Sequence, residues 1–360
     1  MTQIPSSNQV ALIYAGGTFG SFGKPLAPLG TQDFLPILEE LLTKSNDNLP
    51  KLMWLDNTLI KDSSQFDAHD FVHFYQLILT AYASGMKRFL LISGTDTLSY
   101  LGAFLAEAFA GSDITIVVTG SMRPLLDASK LQGYHVNEDS DAWSNFTAAL
   151  KLTSAIDAGV HISFGGESWS AQTVQKIHSH DFMAFTGHTR AAYPASSFVK
   201  ALLRARYQHW IDDQLAVLPT IQVRATNAAV FALYCLPNDA DTLVVQLMAL
   251  VNRPPCAIIL LGFGAGNVPF SAALAETLSQ AFNNGHLVVA GSQCPFGGVS
   301  DSYAAGSWQY DYHVLSGGRL TTSAIYARLL WLLLRFDTPA RRRQRWQWSI
   351  NQKSAARKNH

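Results

Sequence analysis

Chemistry-bearing side chains in this chain gather at turns that follow apolar runs. Phe89-Leu90-Leu91-Ile92-Ser93 leads into Gly94-Thr95-Asp96-Thr97, and Val10-Ala11-Leu12-Ile13-Tyr14-Ala15 leads into Gly16-Gly17-Thr18. Ile114-Thr115-Ile116-Val117-Val118 leads into Thr119-Gly120-Ser121, Asp62-Ser63-Ser64 forms a further turn, and Lys176 stands in a separate polar segment. A threonine hydroxyl is a poor nucleophile until a base takes its proton. Burial of an ammonium favours its neutral form, so a lysine desolvated in a pocket can be that base. A neighbouring carboxylate works against this, and Asp96 therefore fits better as the ligand of a substrate ammonium. Backbone N–H groups at the glycine turns could hold an oxyanion. These residue types together suggest acyl transfer to water through threonine, on a small substrate resembling an amino acid.

Two other readings of local motifs compete. A dinucleotide loop needs G-x-G-x-x-G opening a helix. Gly16-Gly17-Thr18-Phe19-Gly20-Ser21-Phe22-Gly23 misses that spacing, and Lys24-Pro25-Leu26-Ala27-Pro28 cannot continue as a helix. What remains is a strand-end turn that presents Thr18 or a plain tight turn. His69, Asp70 and His73 echo the zinc motif H-E-x-x-H but carry Asp for Glu and have no obvious third ligand, so they read as rim residues of a helix and no metal is expected.

Positioning such residues requires strands whose carboxyl ends share one edge. The continuous apolar runs read as strands buried on both faces of a parallel sheet, where ligands bind beyond the carboxyl ends. Helical patterns alternate with them: Phe71, Phe74, Tyr75, Ile78, Leu79 and Tyr82 recur at helical spacing after Asp67, and Leu98, Leu101, Leu105 and Phe109 follow the Thr95 turn. This alternation predicts an α/β fold with a parallel sheet. A composition shift after Thr186 predicts an N-terminal α/β catalytic domain over 1–190, a linker over 191–213 and a smaller C-terminal α/β domain over 214–338. Strands are expected near Gln214 to Val223 and Leu243 to Leu247, then at Ala257–Leu261 and Leu287–Ala290, with a last helix from about Thr321 to Arg335. Residues 339–360 read as a basic, solvated, partly helical tail.

The 360 residues are 48% apolar and 14% charged, which suits a compact globular protein. Seven Lys/Arg and no acid fall in residues 341–360; the preceding 340 residues carry the other 19 bases against all 26 acids, a net charge of −7. An acidic body with a basic end lacks the footprint of a nucleic-acid binder. Three scattered cysteines, Cys235, Cys256 and Cys294, argue against a disulfide framework and suit a reducing compartment. The N-terminus has no basic leader, and no apolar run reaches the roughly 18 residues of a membrane span. A soluble cytoplasmic protein is the expectation.

The motifs Ala15-Gly16-Gly17-Thr18-Phe19-Gly20, Ser93-Gly94-Thr95-Asp96-Thr97 and Asp62-Ser63-Ser64 resemble those of the bacterial two-domain L-asparaginases, in particular the cytoplasmic type I enzymes. The likeness extends through Val118-Thr119-Gly120-Ser121-Met122-Arg123-Pro124, the Lys176…Asp181…Phe185 segment, Gly264-Ala265-Gly266-Asn267 and Gln293-Cys294, over about residues 9 to 335. The resemblance implies hydrolysis of L-asparagine to L-aspartate and ammonia through a covalent acyl-enzyme, without metal or cofactor. It implies Thr18 as first nucleophile and Thr95, Lys176 and Asp96 as a second, triad-like group in which Lys176 relays the proton. It also implies that Ser63, with Asp62 and Ser64 beside it, binds the substrate α-carboxylate, that Asp96 holds the α-ammonium, and that the Ser121 region holds the amide. A homodimer or homotetramer is implied, with Asn267 reaching a partner's site. Cys294 falls where some type I enzymes keep an allosteric asparagine site; read from the residue alone, it is a buried small apolar side chain.

One departure stands out. The family carries a tyrosine about ten residues after the first threonine, where Lys24-Pro25-Leu26-Ala27-Pro28-Leu29 has none, and Tyr14 precedes the threonine instead. Alternative readings are a glutaminase-asparaginase, which differs by pocket volume, and a non-catalytic amino-acid sensor on the same fold.

Overall fold

The computed structural model describes residues 9–45, 47–127, 129–130, 134–188 and 204–347. Most of the expected linker and the last residues of the basic tail lie outside them. The chain divides into two compact units, Met1–Leu218 and Pro219–His360.

In chain order the first unit contains β1 (Gln9–Tyr14), a hairpin of β2 (Ser21–Phe22) and β3 (Ala27–Pro28), α1 (Thr31–Lys44), β4 (Lys51–Trp54) and α2 (Ala68–Ala83). These are followed by β5 (Arg88–Ile92), α3 (Leu98–Ala108), β6 (Thr115–Thr119), α4 (Ala142–Ala155), β7 (Gly159–Phe164) and β8 (Glu167–Ser170), then β9 (Val174–Lys176) and β10 (Phe185–Gly187). The main sheet has the order β4-β1-β5-β6-β7-β8 and is parallel except for the antiparallel β7–β8 pair. Central strands buried along their length explain the unbroken apolar runs. Val10, Leu12, Tyr14, Leu90, Ile92 and Val117 pack on one face against Phe34 and Leu38 of α1 and Phe146 and Leu150 of α4. The register Tyr14↔Ile92↔Thr119 ends three adjacent strands at one level, so the turns carrying Thr18, Thr95 and Ser121 leave the sheet side by side.

The second unit has β11 (Val230–Tyr234), α6 (Ala240–Val251), β12 (Ala257–Gly262), α7 (Ala272–Asn283), β13 (Leu287–Ser292), a short α8 (Ala304–Ser307), β14 (Leu315–Ser316) and α9 (Thr322–Arg335). Its sheet, β11-β12-β13-β14, is parallel throughout. Alternate residues of β12 serve opposite faces: Ile258 and Leu260 meet α6 and α7, while Ala257, Ile259 and Leu261 meet α9.

Three expectations differ from what is observed. Gln214–Val223 is not a strand but part of the helix α5 (Arg204–Ala225), which runs through the end of the expected linker. Its buried residues, Ile211, Gln214, Leu218, Ile221 and Ala225, recur every three or four positions, a helical and not a strand period. Leu243–Leu247 is likewise helical: Asp239 accepts the Asp241 N–H at α6's start, and Leu243, Leu247 and Val251 share its inner face. Residues 339–347 are helical, as expected of a partly helical tail, but the segment is anchored and not wholly solvated. Its Trp346 is buried in the α9-side core and donates from Nε1 to the Ser316 carbonyl at 2.9 Å. Among the described residues no helix is long and apolar enough to cross a membrane.

Candidate active site

The Thr18 turn begins where β1 ends. Gly16 and Gly17 take φ of +90° and +75°, and Thr18 opens a single turn, Thr18–Gly20. A Cβ on Gly17 would fall on the Gly94 backbone, and one on Gly94 would fall on the Ser63 side chain. Glycine at these two positions thus lets the turns bearing Thr18, Thr95 and Ser63 converge. Lys61 completes the seam: its N–H donates to the Ala15 carbonyl at 3.4 Å, and its ammonium pairs with Asp70 at 2.6 Å.

Asp62 caps the turn Ser63–Gln65 by accepting the Ser64 N–H at 2.8 Å, which leaves Ser63 buried and Ser64 exposed. Thr97 Oγ1 donates to the Ser63 carbonyl at 2.9 Å and ties that turn to the one after β5. Lys176, expected in a separate polar segment, ends β9, which pairs with β10 at Phe185↔Lys176. From there its ammonium donates to Thr95 Oγ1 at 2.9 Å and to Asp96 Oδ1 at 2.8 Å.

These groups border a cavity of about 160 Å³. Thr18, Asp62, Ser63, Thr95, Asp96 and Lys176 line it, with the backbone of Gly17 and Gly94. Its size is well below the roughly 300 Å³ and more of pockets for drug-sized ligands, and apart from Met122 its side chains are polar. Such a chamber fits a small zwitterion: Lys176 and the turn N–H groups offer partners for anionic oxygen, Asp62 and Asp96 for an ammonium.

The remaining expected site residues lie elsewhere. Ser64 is outside the lining, and Ser121 is buried with its Oγ donating to the Arg123 carbonyl at 2.6 Å, so its neighbour Met122 faces the cavity instead. Asn267 belongs to the second unit, in a turn where its N–H returns to Phe263 and its buried Oδ1 has no hydrogen-bond partner among the described residues. Cys294, also in the second unit, is exposed rather than a buried apolar residue; its N–H donates to Ser292 Oγ at 2.9 Å. Met122 and Ser179 line the cavity without having been singled out from the sequence. Ser179 follows Lys176 by three residues in the β9–β10 connection, and no spacing rule marks it.

Tyr14 does not stand in for a loop tyrosine. It stacks on Phe34 at 4.5 Å and donates to the Leu29 carbonyl at 3.1 Å, outside the cavity lining. Burial pushes its phenol far above the ordinary range, against any role as a base. His73 serves structure, while His69 is exposed. His73 Nε2 lies 2.8 Å from Asn57 Oδ1, and Asn57 Nδ2 donates to the Tyr14 carbonyl at 2.8 Å. Asp70 is taken by Lys61 and by the capping box of α2. Among the described residues no group of three His, Cys, Asp or Glu side chains is arranged to hold a metal.

Comparison with known proteins gives matches over both units. Residues 9–200 match the family model described as asparaginase, N-terminal, and residues 229–345 match the glutaminase/asparaginase C-terminal domain. L-asparaginase 1 of Escherichia coli K12 is 24% identical over 334 residues, covering 90% of this chain and 91% of that protein. The solved L-asparaginase of Thermococcus kodakarensis superposes with a TM-score of 0.69 at 21% identity, covering 94% of this chain and 96% of that one. L-asparaginase I of Vibrio cholerae gives a TM-score of 0.69 at 20% identity, over 95% and 97% of the two chains.

Proposed function

Because the chain belongs to the asparaginase family, whose N-terminal model spans more than half of it, we propose that it hydrolyses the side-chain amide of L-asparagine to L-aspartate and ammonia. The observation that carries this reading is the Lys176 ammonium bridging Thr95 and Asp96 on the wall of a cavity that Thr18 also lines. In the proposed reaction the Thr18 oxygen bonds to the amide carbon, and its proton passes to the departing nitrogen. The C–N bond breaks, ammonia leaves and an acyl ester remains. Water then adds to the ester carbon, the Thr18 oxygen leaves and recovers a proton, and aspartate is released. Thr95, Lys176 and Asp96 form the proton-relaying group, with Asp96 also facing the substrate ammonium. Ser63 receives the α-carboxylate, and the Ser121–Met122 turn receives the amide. No metal or cofactor takes part in these steps.

An ammonia-release assay with asparagine and glutamine tests the reading and separates asparaginase from glutaminase-asparaginase activity. Thr18→Ala and Thr95→Ala are each expected to lose most of the turnover; an active Thr95→Ala variant would refute the role given to that residue. The loop without a tyrosine favours one other reading, an amino-acid sensor. No ammonia from either substrate, together with a melting temperature raised by asparagine, would establish the sensor and sink the enzyme.

A further inference from the structure

One buried carboxylate beside the cavity takes no part in the steps above. Asp141 is 7% exposed and directly precedes α4, yet its side chain does not cap that helix. Both its oxygens accept the Met122 N–H, each at 3.0 Å; Oδ1 also accepts the Arg123 N–H at 3.0 Å, and Oδ2 accepts Asn145 Nδ2 at 2.9 Å. Asn145, 2% exposed, also donates to the Gly120 carbonyl at 3.1 Å and accepts the Gly165 N–H at 3.0 Å. A carboxylate taken from water is tolerated only with such partners. Here most of them are backbone groups of the turn that follows β6.

This arrangement sets direction. A trans peptide unit points its N–H and its C=O to opposite sides. With the Met122 and Arg123 N–H groups turned to Asp141, the carbonyls of Ser121 and Met122 point away from it. The flanking carbonyls are already engaged: Gly120 by Asn145, and Arg123 by the hydroxyls of Ser121 and Ser140. Met122 lines the cavity. We propose that Asp141, braced by Asn145, is a positioning residue that aims the Ser121 and Met122 carbonyls at the carboxamide nitrogen of the substrate. The proposal rests on the amide-hydrolysis reading and deepens it. A carbonyl so placed accepts an amide N–H, a contact that an ester of the same acid does not make, so Asp141 governs the preference for amide over ester.

The test compares kcat/KM for L-asparagine with that for L-aspartate β-methyl ester in the unaltered chain and in Asp141→Asn. In that variant an amide NH₂ must face either the turn N–H groups or Asn145, and the turn loses its anchor. The amide-to-ester ratio is expected to fall at least about tenfold, the scale of one misplaced hydrogen bond in a desolvated site. Because both substrates are assayed on one sample, partial unfolding cancels from the ratio, whereas a merely structural role would lower both activities alike. Should Asp141→Asn yield no folded protein, Asn145→Ser, which keeps the carboxylate on its backbone donors, is expected to lower the ratio about threefold. A ratio unchanged in a folded variant overturns the positioning role and leaves amide hydrolysis standing. An unaltered chain that hydrolyses neither compound overturns both.

Discussion

Lys176 has one cation to divide between two acceptors, and that division organises the residue-scale chemistry. While its ammonium donates to Thr95 Oγ1, the threonine oxygen is held in place. Lys176→Met, which keeps length without donors, is expected to lower kcat by about 10²–10⁴-fold, the usual worth of a positioned proton-transfer group; steady-state kinetics with circular dichroism as a folding control checks this. The thiols give a separate prediction. Burial pushes Cys235 and Cys256 up to about 11, whereas Cys294 is exposed. A thiol reagent at pH 8 should therefore modify Cys294 alone in the native protein and all three cysteines after denaturation. The hydroxyls, carboxylates and lysine that meet in the cavity were legible in the sequence, because each ends an apolar run or belongs to a motif dense in chemistry. Met122 and Ser179 were not: their part comes from where a turn and a hairpin carry them. The Ser121 hydroxyl is spent on its own turn, so only the backbone of that residue is left for the part expected of its region.

At the scale of elements, the glycines at strand ends decide whether the site can close. Gly17→Ala would force a Cβ onto Gly94 at a residue with φ of +75°. Near-complete loss of ammonia release with a lowered melting temperature is the expected result. Two buried imidazoles set a pH dependence. His161 in β7 and His286, just before β13, are held below the ordinary imidazole value of 6.5, chiefly by burial. His286 Nδ1 accepts the Cys256 N–H at 3.1 Å, an acceptor that protonation would remove. Below pH 6.5 the unfolded chain binds protons that the folded one refuses, so stability present above that value is lost as pH falls through it. Melting temperature is expected to drop between pH 7 and 5, and His286→Gln should flatten that slope. The parallel strands of the first unit were readable from sequence because burial on both faces leaves unbroken apolar runs. The helices α5 and α6 were mistaken for strands because short windows of Leu and Val carry no period. Only their spacing over three turns, Leu243–Leu247–Val251 in α6, shows which residues face inward.

At the scale of the whole molecule, the helix over 339–347 is part of the second unit. Trp346 is fully buried beside α9, with Arg328 5.5 Å from its ring centroid. Trp346→Ala is expected to cost about 3–5 kcal/mol by chemical denaturation, the usual range for a buried aromatic. The basic run looked like a solvated tail because charge dominates its composition; the tryptophan within it was the missed sign of packing. The resemblance to the family also leads us to propose that copies of this chain associate as a homodimer or homotetramer. Light scattering at micromolar concentration should report a dimer or tetramer, and a monomeric mass would contradict it.

The level register of β1, β5 and β6 has a kinetic consequence. Thr18, Ser63 and Thr95 meet Lys176 only after strands far apart in the chain have paired, and a one-residue slip would turn each strand's side chains to the opposite face. Such non-local pairings form slowly compared with helices and local collapse. Refolding should accordingly recover helical signal before ammonia release. A chain divided between the exposed Ala110 and Gly111 leaves the hydroxyls on one piece and the lysine on the other. Neither piece should turn over substrate alone, and the rate at which activity returns on mixing would time the docking of β6 onto β5.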